Sequence, residues 1–283
     1  MFCLATQDIN ICYGDRCIVK DLNIKIPKHK ITTIIGANGC GKSTLLKAIT
    51  RIIRHDSGSV LLNGEHISKI ATKELAKKMA ILPQSPESAS GLTVGELVSY
   101  GRFPHQKGFG KLRATDWEVI DWALDVTGTM PFKHRPVDAL SGGQRQRVWI
   151  AMSLAQETDI IFLDEPTTYL DMAHQLEVLE LLQRLNVEQG RTIVMVLHDL
   201  NQAARFADHM IALKDGKVVQ SGDCHSILTK EVLQQVFEID GEIGIDPRTG
   251  KPMCITYNLI RTEEKPAENK NNWKPAILNH SIS

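Results

Sequence analysis

Gly36-Ala37-Asn38-Gly39-Cys40-Gly41-Lys42-Ser43-Thr44 matches G-x-x-x-x-G-K-[ST], a phosphate-binding loop pattern. The run before it, Ile31-Thr32-Thr33-Ile34-Ile35, is β-branched throughout and reads as a buried strand. Leu45-Leu46-Lys47-Ala48-Ile49 follows and reads as a helix. The strand–loop–helix context that gives the pattern its meaning is therefore present. Glycines at 36, 39 and 41 leave backbone N–H groups free to point at phosphate oxygens, and the helix start adds a partial positive charge at the same place. Lys42 has the reach for the β- and γ-phosphates, and the Ser43 hydroxyl suits Mg²⁺. With glycine near 7% of residues, such a match arises by chance in roughly one chain of this length in a hundred. The flanks lower that further, so the stretch implies nucleotide binding and an α/β fold.

The 283 residues suffice for one large α/β domain or two small ones. Lys+Arg and Asp+Glu are both 33, so no global basic field points to nucleic acid. No apolar run is long enough for a bilayer span, and the N-terminal residues lack the basic start and apolar core of a signal peptide. Cys3, Cys12, Cys17, Cys40, Cys224 and Cys254 are scattered without a C-x-x-C pair. That spacing suggests a reducing compartment, with most of them acting as small buried hydrophobes. Cys40 lies in the phosphate loop, where oxidation would block nucleotide.

Outward from the loop, residues 4–35 carry short β runs that read as a small antiparallel sheet. Tyr13-Gly14 sits in one of its turns, where Tyr13 is either a surface aromatic or a platform for a base. Asp56-Ser57-Gly58-Ser59 reads as a turn, Val60-Leu61-Leu62 as a strand and Asn63-Gly64 as a hairpin turn. Residues 72–78 read as a helix, and Ala80-Ile81-Leu82 as a strand that ends at Pro83-Gln84. From about 85 to 153 the texture is helical. A capping box at Thr93–Glu96 opens one helix, residues 115–127 form a second with Trp117, Ile120 and Leu124 on one face, and Ser141 opens a third. Strand texture returns at Ile160–Leu163, ending in Asp164-Glu165, and at residues 192–197, ending at His198. Between them Gln175–Glu188 reads as an amphipathic helix stopped by Gly190. Asp199 caps another helix, Asp215-Gly216 marks a hairpin, and residues 229–237 read as helical. Residues 241–260 form a C-terminal extension, and 261–283 a polar tail that reads as disordered.

In open parallel sheets the ligand lies outside the carboxyl ends of the strands. Three predicted strand ends deliver Lys42/Ser43, Asp164/Glu165 and His198 to one rim. Alone, Asp164-Glu165 suits helix capping and His198 suits a half-buried imidazole; together with the loop they suit catalysis. Asp164 closes an apolar strand in the Walker B manner and would hold Mg²⁺, directly or through water, while the Ser43 hydroxyl ligates it. Glu165 is placed to deprotonate a water aimed at the γ-phosphate, and His198 to bond that phosphate or the water. Gln84, at another strand end, is either an ordinary loop residue or a contact to Mg²⁺ or the water. Ser141-Gly142-Gly143-Gln144 has capping-box spacing and exposes N–H groups at a helix start, a second anion site.

These motifs, in this order, resemble those of ABC ATPases. The loop, Gln84, Leu140–Arg147, Ile160–Glu165, Tyr169-Leu170-Asp171 and His198-Asp199 are similar to the Walker A, Q-loop, signature, Walker B, D-loop and H-loop. The resemblance covers residues 4–240. It implies a P-loop NTPase with a RecA-like core, an antiparallel β-subdomain and an inserted α-helical subdomain at about 85–153. It implies ATP and Mg²⁺ as cofactors, with Tyr13 stacked on adenine. It also implies a homodimer that sandwiches two ATP molecules, each Ser141 facing the partner's γ-phosphate. Gly91–Val94, Gly101-Arg102-Phe103-Pro104-His105, Trp149–Met152, Glu165–Asp171, His198–Asn201 and Asp246-Pro247-Arg248-Thr249-Gly250-Lys251-Pro252 resemble the iron-chelate importer branch, ferric-siderophore members above all. The implied setting is a peripheral subunit on the cytoplasmic face of a bacterial membrane. Separate permease subunits and, through them, a substrate-binding lipoprotein would be its partners, and nucleic acid would not. Haem and cobalamin importers are the alternative. Ala37 departs from the proline of many relatives, at a position that needs only its backbone.

A soluble family member acting on DNA or ribosomes is the competing reading. DNA-repair relatives carry a long coiled coil between loop and signature, whereas only 99 positions separate Lys42 from Ser141 here, without sustained heptads. Translation-type relatives fuse two cassettes, and this chain has one. Residues 85–105, with Leu92, Leu97 and Phe103, follow Gln84 and are placed to meet the membrane partner; Leu97 reads equally well as a core residue.

Overall fold

The computed structural model describes residues 1–84, 90–106 and 111–260. In chain order the strands of its first third are β1 (Phe2–Tyr13), β2 (Arg16–Leu22), β3 (Lys25–Pro27) and β4 (Ile31–Gly36), and then helix α1 (Lys42–Ile49) follows. β5 (Ser57–Leu62), β6 (Glu65–His66), α2 (Thr72–Ala76) and β7 (Met79–Leu82) lead to three helices, α3 (Val94–Ser99), α4 (Ala114–Val126) and α5 (Gly142–Ala155). The chain then alternates: β8 (Ile160–Asp164), α6 (Met172–Gln189), β9 (Thr192–Val196), α7 (Leu200–Phe206), β10 (His209–Lys214). It continues with β11 (Lys217–Gly222), α8 (Cys224–Ile227), α9 (Lys230–Phe237), β12 (Ile239–Ile245) and β13 (Pro252–Leu259).

A six-stranded sheet in the order β11-β10-β4-β9-β8-β7 forms the centre. Its inner neighbours are parallel and only β11 runs antiparallel. Strands buried on both faces read as continuous apolar runs, and β4, β8 and β9 are of that kind. Successive residues feed opposite cores. Ile161, Leu163, Ile193 and Met195 face the core shared with α3–α7. Ile160, Phe162, Val194 and Val196 face the core shared with α1 and the antiparallel sheet. That second sheet has the order β2-β1-β5-β6, with β3 pairing β1: of the β runs in residues 4–35 the first three join it, antiparallel as expected, while Ile31–Gly36 goes to the central sheet. Because β4, β8 and β9 run parallel side by side, their carboxyl ends share one edge.

Three details depart from expectation, and a fourth, Leu97, decides between two readings. Ser57-Gly58-Ser59 lies in β5 rather than in a turn. Its turn chemistry serves a bulge against β1: the register slips between Gln7 and Asn10, Gly58 has φ +85°, and a Cβ there would lie 2.4 Å from the Asp8 carbonyl. Trp117 shares a helix with buried Ile120 and Leu124 but is 40% exposed, its ring covered by Lys133 Nζ. Leu97 is a core residue at 2% exposure. Of the six cysteines, Cys3, Cys40, Cys224 and Cys254 are buried free thiols, as the sequence suggests, but Cys12 and Cys17 are joined by a disulfide. The β1–β2 register sets those two opposite each other, across the turn that Tyr13 and Arg16 flank. The tail at 261–283 and the first part of the 85–105 segment lie outside the described residues.

Candidate functional site

Gly41 is the N-cap of α1 at φ +103°, and a Cβ there would press on Ile18 and Val19 at 3.3 Å. The loop can therefore curl under β2 only with glycine at this point. Lys42 is 5% exposed, and its Nζ donates to the carbonyls of Gly36 (2.8 Å) and Ala37 (3.0 Å). A buried ammonium must be paired or solvated by carbonyls, and here the loop's own backbone does it. Asn38, Gly39, Gly41, Lys42, Ser43 and Thr44 line an open cavity of about 550 Å³. Cys40 is instead buried in the core at 5% exposure, and burial pushes its thiol above the ordinary range, so the thiolate that oxidants attack is scarce. That weakens the expectation that oxidation at Cys40 controls nucleotide binding.

The carboxyl ends of β8 and β9 supply the rest. Ser43 Oγ donates to Asp164 Oδ1 at 2.9 Å. Asp164 is 2% exposed; burial raises its pKa, the Ser43 bond opposes the shift, and neighbouring Glu165 adds to it. Glu165 is 7% exposed with φ +54°, a left-handed conformation that costs a non-glycine residue. That turn of backbone accompanies a convergence of donors. Glu165 Oε1 meets His198 Nε2 at 2.5 Å, while Oε2 accepts from Gln84 Nε2 and, at 3.1 Å, from Thr168 Oγ1. Glu165, His198 and Gln84 all line the cavity, and Tyr13, 56% exposed, forms its rim with Arg16 and Ile18. Sequence reasoning missed Arg16 and Thr168. The first stands three positions after Tyr13, in the same hairpin, and the second within Glu165–Asp171.

Ser43 and Asp164 offer hard oxygen donors of the kind Mg²⁺ takes. Their hydrogen bond holds the two oxygens side by side at 2.9 Å, so both would be within reach of one ion. Gln84 is engaged with Glu165 rather than with either of them.

Ser141 and Gln144 form the expected capping box at the start of α5. Ser141 Oγ accepts from Gln144 N at 3.3 Å, and Gln144 Oε1 accepts from Ser141 N at 3.1 Å. A Cβ on Gly142 would meet nothing within 4 Å, whereas one on Gly143 would press on His174. These four residues line no part of the cavity at the phosphate loop.

A family model for ABC transporters matches residues 19–168. The chain belongs to the ABC transporter family. It is 63% identical, over 93% of its length and 97% of the relative's, to the iron(3+)-hydroxamate import ATP-binding protein of Bacillus subtilis (strain 168). Among solved structures it is similar to a metal-chelate type ABC transporter in an inward-facing conformation, with 30% identity, TM-score 0.78 and coverage of 90% of this chain and 96% of that one. It is also similar to a dimeric ATP-binding cassette in a post-hydrolysis state with ADP and phosphate (30% identity, TM-score 0.68, 78% of this chain and 98% of that one). This ABC cassette is an ATP-binding, ATP-hydrolysing subunit with the α/β P-loop fold expected of it. Among the described residues no helix is long and apolar enough to cross a membrane.

Proposed function

We propose that this cassette drives a bacterial importer of ferric siderophores, with ferric hydroxamates as the first candidates. It would work as a homodimer bound peripherally to permease subunits at the cytoplasmic face of the membrane, served by a substrate-binding lipoprotein outside. Residues 4–240 are the ATPase unit, with the helical part at about 85–153. The observation that carries the catalytic reading is the placement of Glu165. Its carboxylate stands at the edge of the phosphate-loop cavity, between His198 and Gln84 and one residue from Asp164.

Each residue's task follows from its chemistry. The loop from Gly36 to Thr44 wraps the phosphates with backbone N–H groups, and Lys42 exchanges its loop carbonyls for β- and γ-oxygens. Tyr13 offers its exposed ring to the adenine. Ser43 and Asp164 would hold Mg²⁺, Asp164 directly or through water, and its charge would offset that of the phosphates. Glu165 accepts the proton of the attacking water, His198 holds the γ-phosphate or that water, and Gln84 reports on both. Ser141, with Gly142, Gly143 and Gln144, addresses the nucleotide of the partner copy.

The transported chelate is tested in cells. Deleting this chain's gene is expected to abolish growth on ferric hydroxamates as sole iron source and to spare cobalamin and haem use; the opposite pattern would move the assignment to those importers. The permease contact is tested at Phe103, which is 75% exposed on the turn Tyr100–His105. Neighbouring Arg102 anchors that turn by bonds to Ala155 O (2.8 Å) and the Asp116 carboxylate. Phe103→Asp should leave ATP binding by the free subunit within about twofold, because surface changes cost under about 0.5 kcal/mol, while uptake falls to background. Leu97→Asp, by contrast, should unfold the helical part and lose ATP binding as well.

A further inference from the structure

Asp246-Pro247-Arg248-Thr249-Gly250-Lys251-Pro252 has no part in the nucleotide cavity. It is the turn between β12 and β13, and it is tightly built. Asp246 accepts from Arg248 N (3.0 Å) and Thr249 Oγ1 (2.7 Å), and its backbone N–H donates to Lys251 O (2.8 Å). The consequence is the position of Lys251, whose Nζ donates to the carbonyls of Arg205 (2.9 Å) and Ala207 (2.6 Å) at the C-terminal end of α7. Carbonyls there have no partner within the helix, and an ammonium suits both them and the helix dipole. The hairpin grips the other end of α7 as well. Asn201 Nδ2 donates to Cys254 O at 3.0 Å, and Cys254 N donates to Asn201 Oδ1 at 2.8 Å.

Helix α7 begins two positions after His198. The His198 side chain is 45% exposed, so apart from its contact with Glu165 its placement rests on the backbone that carries it. On its sheet side α7 is seated by buried Ala203, Ala204 and Phe206. On its outer side the seat is the β12–β13 hairpin, through Asn201 and Lys251.

We infer that the C-terminal hairpin is a splint for the helix behind His198, and that Asn201 and Lys251 are positioning residues for ATP hydrolysis. This rests on the reading of His198 as a contact to the γ-phosphate or the attacking water. Loss of either grip lets α7 shift, and His198 leaves its place against Glu165. A misplacement of 1 Å at a reacting centre can cost about 10²-fold in rate.

The test is steady-state ATP hydrolysis by purified Asn201→Ala and Lys251→Met, each alone and combined with His198→Ala. Each is expected to lower kcat about 10-fold or more, with KM for ATP changed less than about twofold, and to have no further effect once His198 is gone, because coupled residues are not additive. Lys251→Arg, which keeps a cation able to donate to carbonyls, is expected to restore kcat. Effects that multiply in the His198→Ala background, or an unchanged kcat, overturn the splint. If Asn201→Ala does not fold, Lys251→Met at the turn carries the test; if that also unfolds, the hairpin serves folding and the inference is wrong. If His198→Ala by itself leaves kcat intact, the reading of His198 falls first, a different signature from multiplying effects.

Discussion

Glu165→Gln protein is expected to bind ATP with Mg²⁺ and to hydrolyse it about 10²- to 10⁴-fold more slowly than the unaltered chain, the usual loss when a general base is removed. The substitution keeps the volume and changes two things. The amide has no basicity with which to take a proton from water. It also has one acceptor oxygen where the carboxylate has two, and both of those are in use. Oε1 faces His198 Nε2, and Oε2 receives Gln84 Nε2 and Thr168 Oγ1. An amide nitrogen turned toward Gln84 would set donor against donor, so the variant reorients one of these contacts. The loop, Lys42, Ser43 and Asp164 are untouched, hence binding persists and nucleotide accumulates unhydrolysed in a dimer. Phosphate release and size-exclusion chromatography with ATP measure the two effects. Turnover near that of the unaltered protein would assign the proton transfer to another group.

The convergence of these candidate residues was legible because the signal for each is a local pattern. Ile31–Ile35, Ile160–Leu163 and residues 192–197 are apolar runs too short for helices, and parallel pairing puts their ends on one edge. The polar residue at each end then has only one place to go. What escaped depends on which strand lies next to which. Cys12 and Cys17 become partners only through the β1–β2 register, and Ser57-Gly58-Ser59 becomes a bulge only because β1 slips beside it. Leu97 and Phe103 are both apolar residues near turn breakers, and only the packing of α3 against α4 and α5 buries one and exposes the other. The C-terminal hairpin was hidden for a different reason. Ile239-Asp240-Gly241-Glu242-Ile243-Gly244-Ile245 carries two glycines, which weaken any strand reading. A Cβ on Gly241 would meet the Leu233 side chain of α9 and Cys254 of β13, contacts that exist only once the hairpin is folded against that helix.

Two inactive variants are expected to recover one working site when mixed, provided that each site takes its phosphate loop from one chain and Ser141 from the other. Lys42→Ala removes the cation proposed to meet the phosphates. Hydrogen bonds to charged groups are worth about 1.5–3 kcal/mol, so ATP binding should weaken by about 10- to 150-fold. Ser141→Arg fills the start of α5 with bulk and removes the hydroxyl that accepts from Gln144 N. In a mixed dimer with shared sites, one site joins the intact loop to the intact signature and the other carries both lesions. With sites built within single chains, every site in the mixture keeps one lesion. The geometry of the single chain favours sharing, because Ser141, Gly142, Gly143 and Gln144 stand at a helix start yet line no part of the phosphate-loop cavity. Placing Glu165→Gln in both chains stops turnover, so the assay counts trapped ATP rather than phosphate. The mixture should then hold up to one ATP per heterodimer, while each variant alone holds almost none. Heterodimers are confirmed separately by pull-down with two different tags. If they form and trap no more ATP than the parents, the shared site is rejected, and Ser141-Gly142-Gly143-Gln144 is a structural cap of α5 alone.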